Sequence, residues 1–597
     1  MTADIDEVSD RTFDYVICGG GTAGLTLAAR LSEDSDVSVL VLEAGGTNLD
    51  EAGILRPGSW GSHFANADWT WPYKTVKQKA VDDTEYLWFR GKGLGGSSQI
   101  NFMVWAKPPK EEIDDFERLG NPGWNWKNYQ HYVSRTEGFV APSDGKLDNI
   151  LKVDFSSWEI GREGPMEISF PGLVDEVERC MVQTLRNAGI PSASQPLSGD
   201  PNGICLVPNT YDPVKNTRSY ATTAFYTPVA DRPNLTVLVH ATVHRLNTRE
   251  AANGKLSAAS VEFEYKDRLY SVDAAKDVCL TAGALKTPHI LELSGIGRKD
   301  ILDKISVPLK VELPGVGENV QEHLNLELKD TVDFETADLL RDPTHAAKHL
   351  ELHSKGLGLF TKAVIGFAFN PLKRISSLSD VIYEKAKAKI MANAHRFPPG
   401  LMEQYTIQLE RIKNGAPECE VICFPGHFSS PAKPEAGKQY LSIVPAMNHC
   451  FSRGTIHSIS SDPRVEPELD PRYFEQEVDL DILVESVKWV RTLADVAPLK
   501  NLIVCEHNPG SKIANEEEIR EWARKYALTT WHTAGSCSML PREHSGVVDP
   551  ELRVYGTNNV RVVDLSVVPL HFAAHTMSTV YAIAEQAADI LKGTYTE

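Results

Sequence analysis

The sequence predicts an α/β fold whose first part is a Rossmann-like nucleotide-binding unit. Residues 13–18, FDYVIC, form a short strand pattern, because aromatic and β-branched residues are typical of strands. Gly19, Gly21 and Gly24 follow this strand, and the helical pattern LTLAARLSE comes directly after them. A dinucleotide-binding fold requires strand, glycine turn and helix in this order. The chain of 597 residues is too long for one hydrophobic core, so at least one further domain is expected.

Each glycine has a physical role in the predicted turn. Gly19 permits the tight turn, Gly21 lets the backbone approach a pyrophosphate, and Gly24 allows close packing of helix on strand. The free N–H groups at the helix start then bind the anion. A second predicted strand, VSVLVLEAGG, ends near Glu43, at the distance where an acid binds a ribose hydroxyl and disfavours a 2′-phosphate. The sequence therefore predicts a bound dinucleotide, and at this point FAD and NAD both remain open.

Composition restricts the classes of partner. The chain carries 61 basic and 81 acidic residues, a net charge of −20 that repels nucleic acid over most of the surface. No apolar run approaches the roughly 18–20 residues that a bilayer crossing requires, so no membrane partner is expected. The first twelve residues are acidic and polar, which predicts no secretory leader at this end and a cytoplasmic protein. Nine cysteines without CxxC or Cys/His spacing predict neither a disulfide framework nor a metal site.

Several longer segments resemble one enzyme family. FRGKGLGGSSQINFMVWAKP (residues 89–108) is similar to the first signature of the glucose–methanol–choline (GMC) oxidoreductase family, and residues 283–297 are similar to the second. Three further segments also resemble family blocks, namely RPNLTVLVHATVHRL (232–246), LPGVGENVQEH (313–323) and NNVRVVDLSVVP (558–569). The matches run from residue 13 to residue 591 in the family's order, with a less distinctive region from about 330 to 525. The resemblance implies FAD as the cofactor.

The resemblance also implies which residues contact FAD. Thr22, Ala23, Glu43 and Ala44 would contact its ADP half, and Val243 would present its backbone to the adenine. Asn101, Phe102, Met103 and Val104 would lie against the flavin ring, with Trp71 either lining that region or only packing. The full predicted set is Gly19, Gly21, Thr22, Ala23, Gly24, Glu43, Ala44, Trp71, Gly95, Gly96, Asn101, Phe102, Met103, Val104, Val243, Trp531, Asp564, Ala574 and Thr576.

Some relatives attach FAD through a histidine at the position of Ile100, which has no nucleophilic nitrogen. FAD is therefore expected to be non-covalent.

Two of the 18 histidines stand in family blocks. His532, in TTWHTAGSCSM, resembles the main catalytic histidine, and His575, in LHFAAHTMSTVYAIAE, occupies the place of a second histidine or an asparagine. Hydride loss from an alcohol is easier when a base takes the hydroxyl proton, and the usual pKa of histidine lies near working pH. We predict His532 as this base and His575 as the residue that orients the substrate oxygen. His571, four residues before His575, remains the alternative.

Two positions depart from the family pattern. The proline that usually follows the first histidine is Thr533, which bears on the stiffness of the loop and the orientation of the ring. Lys107 and Pro108 replace an arginine and a glycine, which puts in doubt any contact made by that arginine. Neither change removes a group that reacts.

The substrate prediction depends on aromatic residues near the histidine. Trp531 resembles the aryl-alcohol and furfuryl-alcohol oxidase branches, and Phe102, Met103 and Trp105 in the flavin block favour an apolar pocket. We therefore predict oxidation of a primary aromatic or apolar alcohol to the aldehyde, with molecular oxygen as electron acceptor. Two alternatives stay open, namely a dehydrogenase with another acceptor and a non-redox lyase or cyclase that keeps FAD as a structural element. Packing without a role in the pocket remains the alternative for the aromatic residues.

The order of the blocks predicts a discontinuous domain structure. An FAD-binding domain is assigned to residues 1–160, 207–330 and 526–597. A substrate-binding domain of the α+β type, built on an antiparallel sheet, is assigned to 161–206 and 331–525. The segment around 335–405 has Lys, Ala and His at helical spacing, which indicates either a helical lid or a solvated helix pair.

Overall fold

A mixed seven-stranded sheet forms the nucleotide-binding half of the protein. The computed structural model describes residues 2–59, 61–142, 155–171, 176–428 and 433–595. The strand Thr12–Cys18 pairs in parallel with Val39–Leu42 on one side and with Arg268–Leu280 on the other. The strands, in spatial order, are Leu235–Leu238, Val39–Leu42, Thr12–Cys18, Arg268–Leu280, Leu256–Tyr265 and Ala241–Glu250, with Val560–Val562 added in parallel to the end of Arg268–Leu280.

The predicted strand–turn–helix unit lies in the middle of this sheet. The strand Thr12–Cys18 is buried over its second half, and the helix Thr22–Leu31 follows after the glycine turn. Gly19 has φ of +119°, and a Cβ on it would lie 2.6 Å from a backbone oxygen of Thr281. Gly24 leaves even less space, because its Cβ would lie 1.9 Å from the oxygen of Gly19. Both positions therefore require glycine on steric grounds.

The second half of the protein is built on an antiparallel sheet of eight strands. In spatial order these are Ile503–Asn508, Leu328–Val332, Gln439–Met447, Cys419–Phe424, Gly366–Asn370 and Gly203–Leu206, with Leu324–Asn325 pairing both Gln439–Met447 and Leu528–Thr529. The prediction of an α/β nucleotide-binding fold with an α+β second part is confirmed. The domain boundaries stay a prediction.

Helices cover both sheets. The helix Thr22–Leu31 packs on the last helix, Met577–Lys592, where Arg30 and the fully buried Glu585 form an ion pair at 2.8 Å. Helices Pro343–His353 and Ser379–Asn393 occupy the segment for which helices were predicted, and their role as a lid stays a prediction. The remaining α-helices of the described residues are Ala52–Leu55, Lys110–Arg118, Trp126–Thr136, Glu176–Asn187, Gly283–Leu293, Lys299–Lys304, Leu372–Ile375, Leu401–Asn414, Glu477–Thr492 and Glu516–Tyr526.

Short two-stranded pairs complete the architecture. They are Thr70–Lys74 with Leu87–Gly91, Glu137–Phe139 with Met166–Ile168, Tyr211–Asp212 with Thr217–Arg218, Ile296–Gly297 with Val311–Glu312, and Thr455–His457 with Glu468–Asp470. The first of these leads into the glycine-rich block that begins at Phe89. In the part of the chain that the structure describes, no helix has the length and apolar character needed to cross a bilayer.

Candidate active site

One cavity of about 570 Å³ is lined both by the glycine turn and by the two predicted histidines. We call the part lined by Gly19, Gly21 and Glu43 the glycine end and the part lined by His532 and His575 the histidine end. The volume of the cavity is within the usual range for small-molecule and cofactor sites, roughly 300–1,000 Å³. The segments that the sequence assigned to cofactor and to chemistry therefore share one space.

Two glycine loops meet at the glycine end of the cavity. The loop around Gly96 approaches the glycine turn so closely that a Cβ on Gly96, which has φ of +50°, would lie 2.7 Å from Cα of Gly21. The helix that starts at Thr22 has no side-chain cap at Gly21, and Thr22 and Ala23 line the cavity. An uncapped helix start between two glycine loops fits a pyrophosphate, since backbone N–H groups and the helix dipole both favour an anion there.

Glu43 follows the strand Val39–Leu42 and is buried beside the turn. Its carboxylate accepts hydrogen bonds from the backbone N–H groups of Gly20 and Gly45, both at 2.8 Å, and of Gly93 at 3.0 Å. Burial raises the pKa of this carboxyl, and the three N–H donors oppose the effect. Glu43 therefore holds both glycine loops together while it lines the cavity.

The predicted flavin block is held in a strained conformation by a buried arginine. Met103 has φ of +63°, a value that residues other than glycine seldom adopt. Asn101 fixes this turn, because its Oδ1 accepts hydrogen bonds from the Met103 N–H at 2.9 Å and from Arg218 at 2.8 Å. Arg218 also donates to the carbonyl oxygens of Ile54 and Ser98. Arg218 was not predicted from the sequence.

Most of the residues predicted at the cofactor line the cavity. Those that do are Gly19, Gly21, Thr22, Ala23, Glu43, Ala44, Trp71, Gly96, Asn101, Phe102, Met103, Val104, Val243, Trp531, Asp564 and Thr576. Gly24, Gly95 and Ala574 lie behind the lining. Gly24 serves helix packing, and the N–H of Gly95 donates to the carbonyl oxygen of Gly20. Contact of these residues with FAD stays a prediction.

Asp564 joins two elements in the middle of the cavity. Its Oδ2 accepts hydrogen bonds from the N–H of Gly283 and the hydroxyl of Thr287, at 2.9 and 2.6 Å. Its Oδ1 accepts from the N–H and the hydroxyl of Ser566. The carboxylate therefore fixes the start of the helix Gly283–Leu293 against the segment that follows Val560–Val562, and both elements line the cavity.

His532 has another histidine as its partner. Its Nδ1 lies 3.0 Å from Nδ1 of His323, so one of the two nitrogens carries the shared hydrogen. Burial lowers the pKa of His532 well below its usual value, and the other histidines and Arg90 nearby act in the same direction. His532 is therefore neutral near pH 7. Among the described residues its Nε2 has no hydrogen-bond partner, and the ring lines the cavity.

His571 lies behind His532 and has no place in the lining of the cavity. Its Nε2 is 2.8 Å from the carbonyl oxygen of His532, and its Nδ1 accepts a hydrogen bond from the N–H of Phe572. Burial lowers its pKa to about 3, so the ring is neutral, with the hydrogen on Nε2. His571 also packs against His323, with ring centroids 3.8 Å apart. Both nitrogens are therefore engaged in holding the loop that carries His532.

His575 is paired with a carboxylate. Its Nε2 lies 2.9 Å from Oε1 of Glu420, which is 1% exposed in its side chain. Glu420 belongs to the strand Cys419–Phe424 of the antiparallel sheet. The rings of His575 and His532 have centroids 5.0 Å apart and are tilted by 60°. The antiparallel sheet therefore contributes a carboxylate partner to one of the two predicted histidines, and this partner was not predicted from the sequence.

Thr533, the departure from the family pattern, belongs to a chain of hydrogen bonds. Arg90 donates to the Thr533 hydroxyl at 2.5 Å, and that hydroxyl donates to Oε2 of Glu322 at 2.6 Å. Oε1 of Glu322 accepts from the backbone N–H groups of His532 and His323, at 2.6 and 3.0 Å. One buried carboxylate therefore fixes the main chain of both partners in the histidine pair, and a proline at position 533 lacks the hydroxyl of this chain.

Lys107, the second departure, is buried away from the cavity. Its Nζ forms an ion pair with Glu137 at 2.9 Å, and both side chains are fully buried. Trp105 donates a hydrogen bond from Nε1 to the same carboxylate at 2.8 Å. Trp105 was expected near the apolar pocket, and it lies instead behind the lining, because its indole N–H needs the buried acceptor that Glu137 supplies.

Aromatic side chains form the wall beside the histidines. Phe64 packs on Phe89 with ring centroids 4.7 Å apart and on Trp531 at 5.0 Å. Phe428 packs on Phe102 at 5.4 Å. All five rings line the cavity. Trp531 has φ of +60°, a left-handed value that turns its indole toward the cavity wall and lets Nε1 donate to the carbonyl oxygen of Leu87.

His323, Glu322 and Glu420 support the two predicted histidines and were not predicted from the sequence. Glu322 and His323 stand at the end of LPGVGENVQEH, a block that resembles the family. A histidine directly after a carboxylate in a family block was a signal that could have been followed. Glu420 lies in the region from 330 to 525, where the sequence offers no distinctive pattern, so only the fold reveals it.

Family models match most of the chain. The N-terminal model of the GMC oxidoreductases matches residues 13–325, and the C-terminal model matches residues 450–584. The chain is 31% identical to the GMC oxidoreductase family protein Mala s 12 of Malassezia sympodialis, with 98% of this chain and 93% of that protein covered.

Two solved structures share the whole fold. An FAD-dependent oxidoreductase from Chaetomium thermophilum has a TM-score of 0.88 at 29% identity, and 97% of this chain and 99% of that chain are covered. A fungal aryl-alcohol oxidase has a TM-score of 0.85 at 28% identity, with coverage of 97% and 98%.

Proposed function

The chain belongs to the GMC oxidoreductase family and is an FAD oxidoreductase, and we propose that it oxidises a primary aromatic or apolar alcohol to the aldehyde and passes the electrons to molecular oxygen. The observation that carries the proposal is the juxtaposition of two histidines, 5.0 Å apart, with a wall of aromatic rings. The likeness to a fungal aryl-alcohol oxidase supports the same substrate class.

The glycine end of the cavity fits the dinucleotide part of FAD. The uncapped helix start at Thr22 would bind the pyrophosphate, and Glu43 would accept a ribose hydroxyl. When bound, FAD supplies the acceptor for the hydride that leaves the alcohol carbon. Ile100 is apolar and buried beside the cavity, which supports non-covalent attachment. Acid precipitation of the purified protein tests this point: yellow colour in the supernatant agrees with it, and yellow colour in the pellet contradicts it.

His532 acts as the base in this proposal. Its low pKa keeps the ring neutral, so Nε2 can accept the hydroxyl proton if Nδ1 carries the hydrogen shared with His323. Once protonated at Nε2, the ring still donates from Nδ1 to His323, which keeps the cation oriented. General bases of this kind contribute roughly 10²–10⁴-fold to the rate.

His575 orients the substrate oxygen, and Glu420 orients His575. With Nε2 directed at Glu420, the nitrogen left for the substrate is Nδ1. Because Nε2 is held by the carboxylate, the ring presents Nδ1 to the alcohol, and a hydrogen bond there would hold the hydroxyl in place for hydride loss. The same carboxylate makes His575 the rival base, and single substitutions of the two histidines separate the roles: loss of the base costs more of the reduction rate than loss of the orienting group.

An anaerobic titration tests the proposed function. The purified holoenzyme is mixed with benzyl, furfuryl and aliphatic primary alcohols, and the visible absorption of oxidised flavin is followed. Bleaching by the aromatic alcohols, with rapid recovery and peroxide formation on exposure to air, is the expected result. Slow recovery of the flavin absorption in air would indicate a dehydrogenase rather than an oxidase. A flavin that no alcohol bleaches would overturn the proposal and favour a lyase or cyclase.

A further inference from the structure

The histidine end of the cavity contains an amide without a partner. Asn325 lies on the strand Leu324–Asn325, which pairs with Leu528–Thr529 shortly before His532. The residue is 5% exposed, its side chain lines the cavity, and its Oδ1 has no hydrogen-bond partner among the described residues. Buried polar groups are nearly always hydrogen-bonded, so this amide requires a partner that the described residues do not supply.

Asn325 differs in this respect from the rest of the lining. Among the described residues that line the cavity, it is the one with a buried side-chain oxygen or nitrogen that lacks a partner. Glu43 and Asp564, for example, each accept hydrogen bonds on both oxygens. The amide is therefore the polar side chain of the lining whose oxygen is left unpaired, among aromatic rings and the hydroxyls of Thr529, Thr530 and Thr533.

The position of Asn325 suits the far end of a small aromatic substrate. It stands two residues beyond His323, whose ring contacts that of His532, so the Cα atoms of His323 and Asn325 are at most about 7 Å apart. A benzyl alcohol would span a distance of this order, with its alcohol carbon at the histidines and a ring substituent at the amide.

The surroundings favour a neutral partner that both donates and accepts. An amide offers an N–H donor and a carbonyl acceptor from the same end, which a hydroxyl group matches. The charged groups at this end already have partners: Glu420 pairs with His575, and Glu322 with Arg90 through Thr533. A charged substituent would therefore enter without a counter-charge.

We propose that Asn325 binds a hydroxyl group of the substrate at the end remote from the reacting carbon, so that the preferred substrates are aromatic primary alcohols with a ring hydroxyl. This inference rests on the proposed alcohol oxidation at the same site. The rival occupant of the amide is a bound water molecule, which would give no preference between substrates.

The test compares substrates with and without the ring hydroxyl. Values of kcat/KM are measured for benzyl, 3-hydroxybenzyl and 4-hydroxybenzyl alcohol with the holoenzyme and with Asn325→Leu, which keeps the volume and removes the amide. We expect at least one hydroxylated alcohol to be preferred about tenfold by the native protein, because pairing a buried amide is typically worth this much. In Asn325→Leu the ratio falls to about one, while turnover of benzyl alcohol persists.

A matched control variant is available in the chain. Oδ1 of Asn202 is also buried without a partner, but Asn202 does not line the cavity. Asn202→Leu should leave the substrate ratio unchanged. Should Asn325→Leu lose its FAD, Asn325→Ala provides the same comparison with a smaller side chain. Equal kcat/KM values in the native protein, or a preference that survives both Asn325 variants, would overturn the inference.

Binding without turnover separates this inference from the proposed function. Benzamide and 4-hydroxybenzamide are not alcohols of the reacting type, and their binding is followed by the perturbation of the flavin spectrum. Suppose that 4-hydroxybenzamide binds more tightly, that this preference depends on Asn325, and that no alcohol bleaches the flavin: this would support the hydroxyl site at Asn325 and reject alcohol oxidation. If the two benzamides bind equally and benzyl alcohol bleaches the flavin, alcohol oxidation is supported and the hydroxyl site at Asn325 is rejected.

Discussion

At the glycine end of the cavity the contacts come from the main chain, whereas at the histidine end they come from side chains that distant segments bring together. Gly21 and Gly96 expose backbone to the cavity, and Glu43 binds three backbone N–H groups. His532, by contrast, depends on His323, and His575 depends on Glu420. The first end is suited to holding an anion in a fixed place, and the second to moving a proton.

The difference has a consequence for experiments. Changes at the glycine end should lower the amount of bound FAD, while changes at the histidine end should leave FAD bound and lower the rate at which substrate reduces it. Four substitutions and a change of pH test this division.

The largest effect is expected for His532→Ala. The rate constant of anaerobic flavin reduction by benzyl alcohol should fall by about 10²–10⁴-fold, because the base for the hydroxyl proton is removed. FAD content should match that of the native protein. The exposed His395 provides the control, as His395→Ala should change neither quantity. A reduction rate within a fewfold of the native value would remove His532 from the role of base.

Glu420→Gln tests whether the carboxylate partner of His575 matters through its charge. Gln preserves the size of the side chain and an oxygen near Nε2, but it carries no negative charge. The rate of flavin reduction should fall by about ten- to a hundredfold, since His575 loses the carboxylate that fixes its orientation. Glu468→Gln, at an exposed position, is the control. If the rate is unchanged, the pair serves packing alone.

Gly24→Ala probes the opposite end of the cavity. The added Cβ would lie 1.9 Å from the oxygen of Gly19, so the helix must move away from the turn. Overpacking of this kind costs about 1–3 kcal/mol, and the FAD content of the purified protein should drop. Gly366→Ala meets nothing within 4 Å and should retain FAD. Full FAD content with a slow reduction step in Gly24→Ala would contradict the division between the two ends.

The buried histidines predict a dependence of stability on pH. Burial lowers the pKa of His323, His532 and His571, whereas an unfolded chain titrates these groups near 6.5. Below about pH 6.5 the unfolded state therefore binds more protons, and the free energy of unfolding falls by about 1.4 kcal/mol per pH unit for each histidine. Tm should decline from pH 6.5 to 5.5, and less steeply in His323→Asn. Equal slopes in both proteins would show that His323 is not neutral when folded.

The smallest effect is expected for Thr533→Val. Valine keeps the shape of the side chain but removes the hydroxyl between Arg90 and Glu322, and a hydrogen bond of this kind contributes about 0.5–1.5 kcal/mol. The reduction rate should fall a fewfold, and Thr533→Ser should restore it. If the serine variant is as slow as the valine variant, the methyl group rather than the hydroxyl is what matters.

Prediction from the sequence followed the same division. The glycine turn was predictable because it depends on local backbone geometry, which neighbouring residues determine. The place of Glu43 beside the turn followed from its spacing, but its hydrogen bond from Gly93, 50 positions away, did not. His323 and Glu420 were not, because their partners lie 209 and 155 positions away in the chain. Trp105 was misplaced for a related reason: its neighbours in the sequence line the cavity, but its indole N–H binds Glu137.

The proposed function depends on the loss of a hydride from the alcohol carbon. We would measure the rate of anaerobic flavin bleaching by benzyl alcohol and by benzyl alcohol that carries two deuterium atoms on the reacting carbon. A severalfold slower bleaching with the deuterated alcohol is the predicted result, because that C–H bond breaks in the observed step. Equal rates with the two alcohols, or no bleaching by either, would contradict the proposed hydride loss.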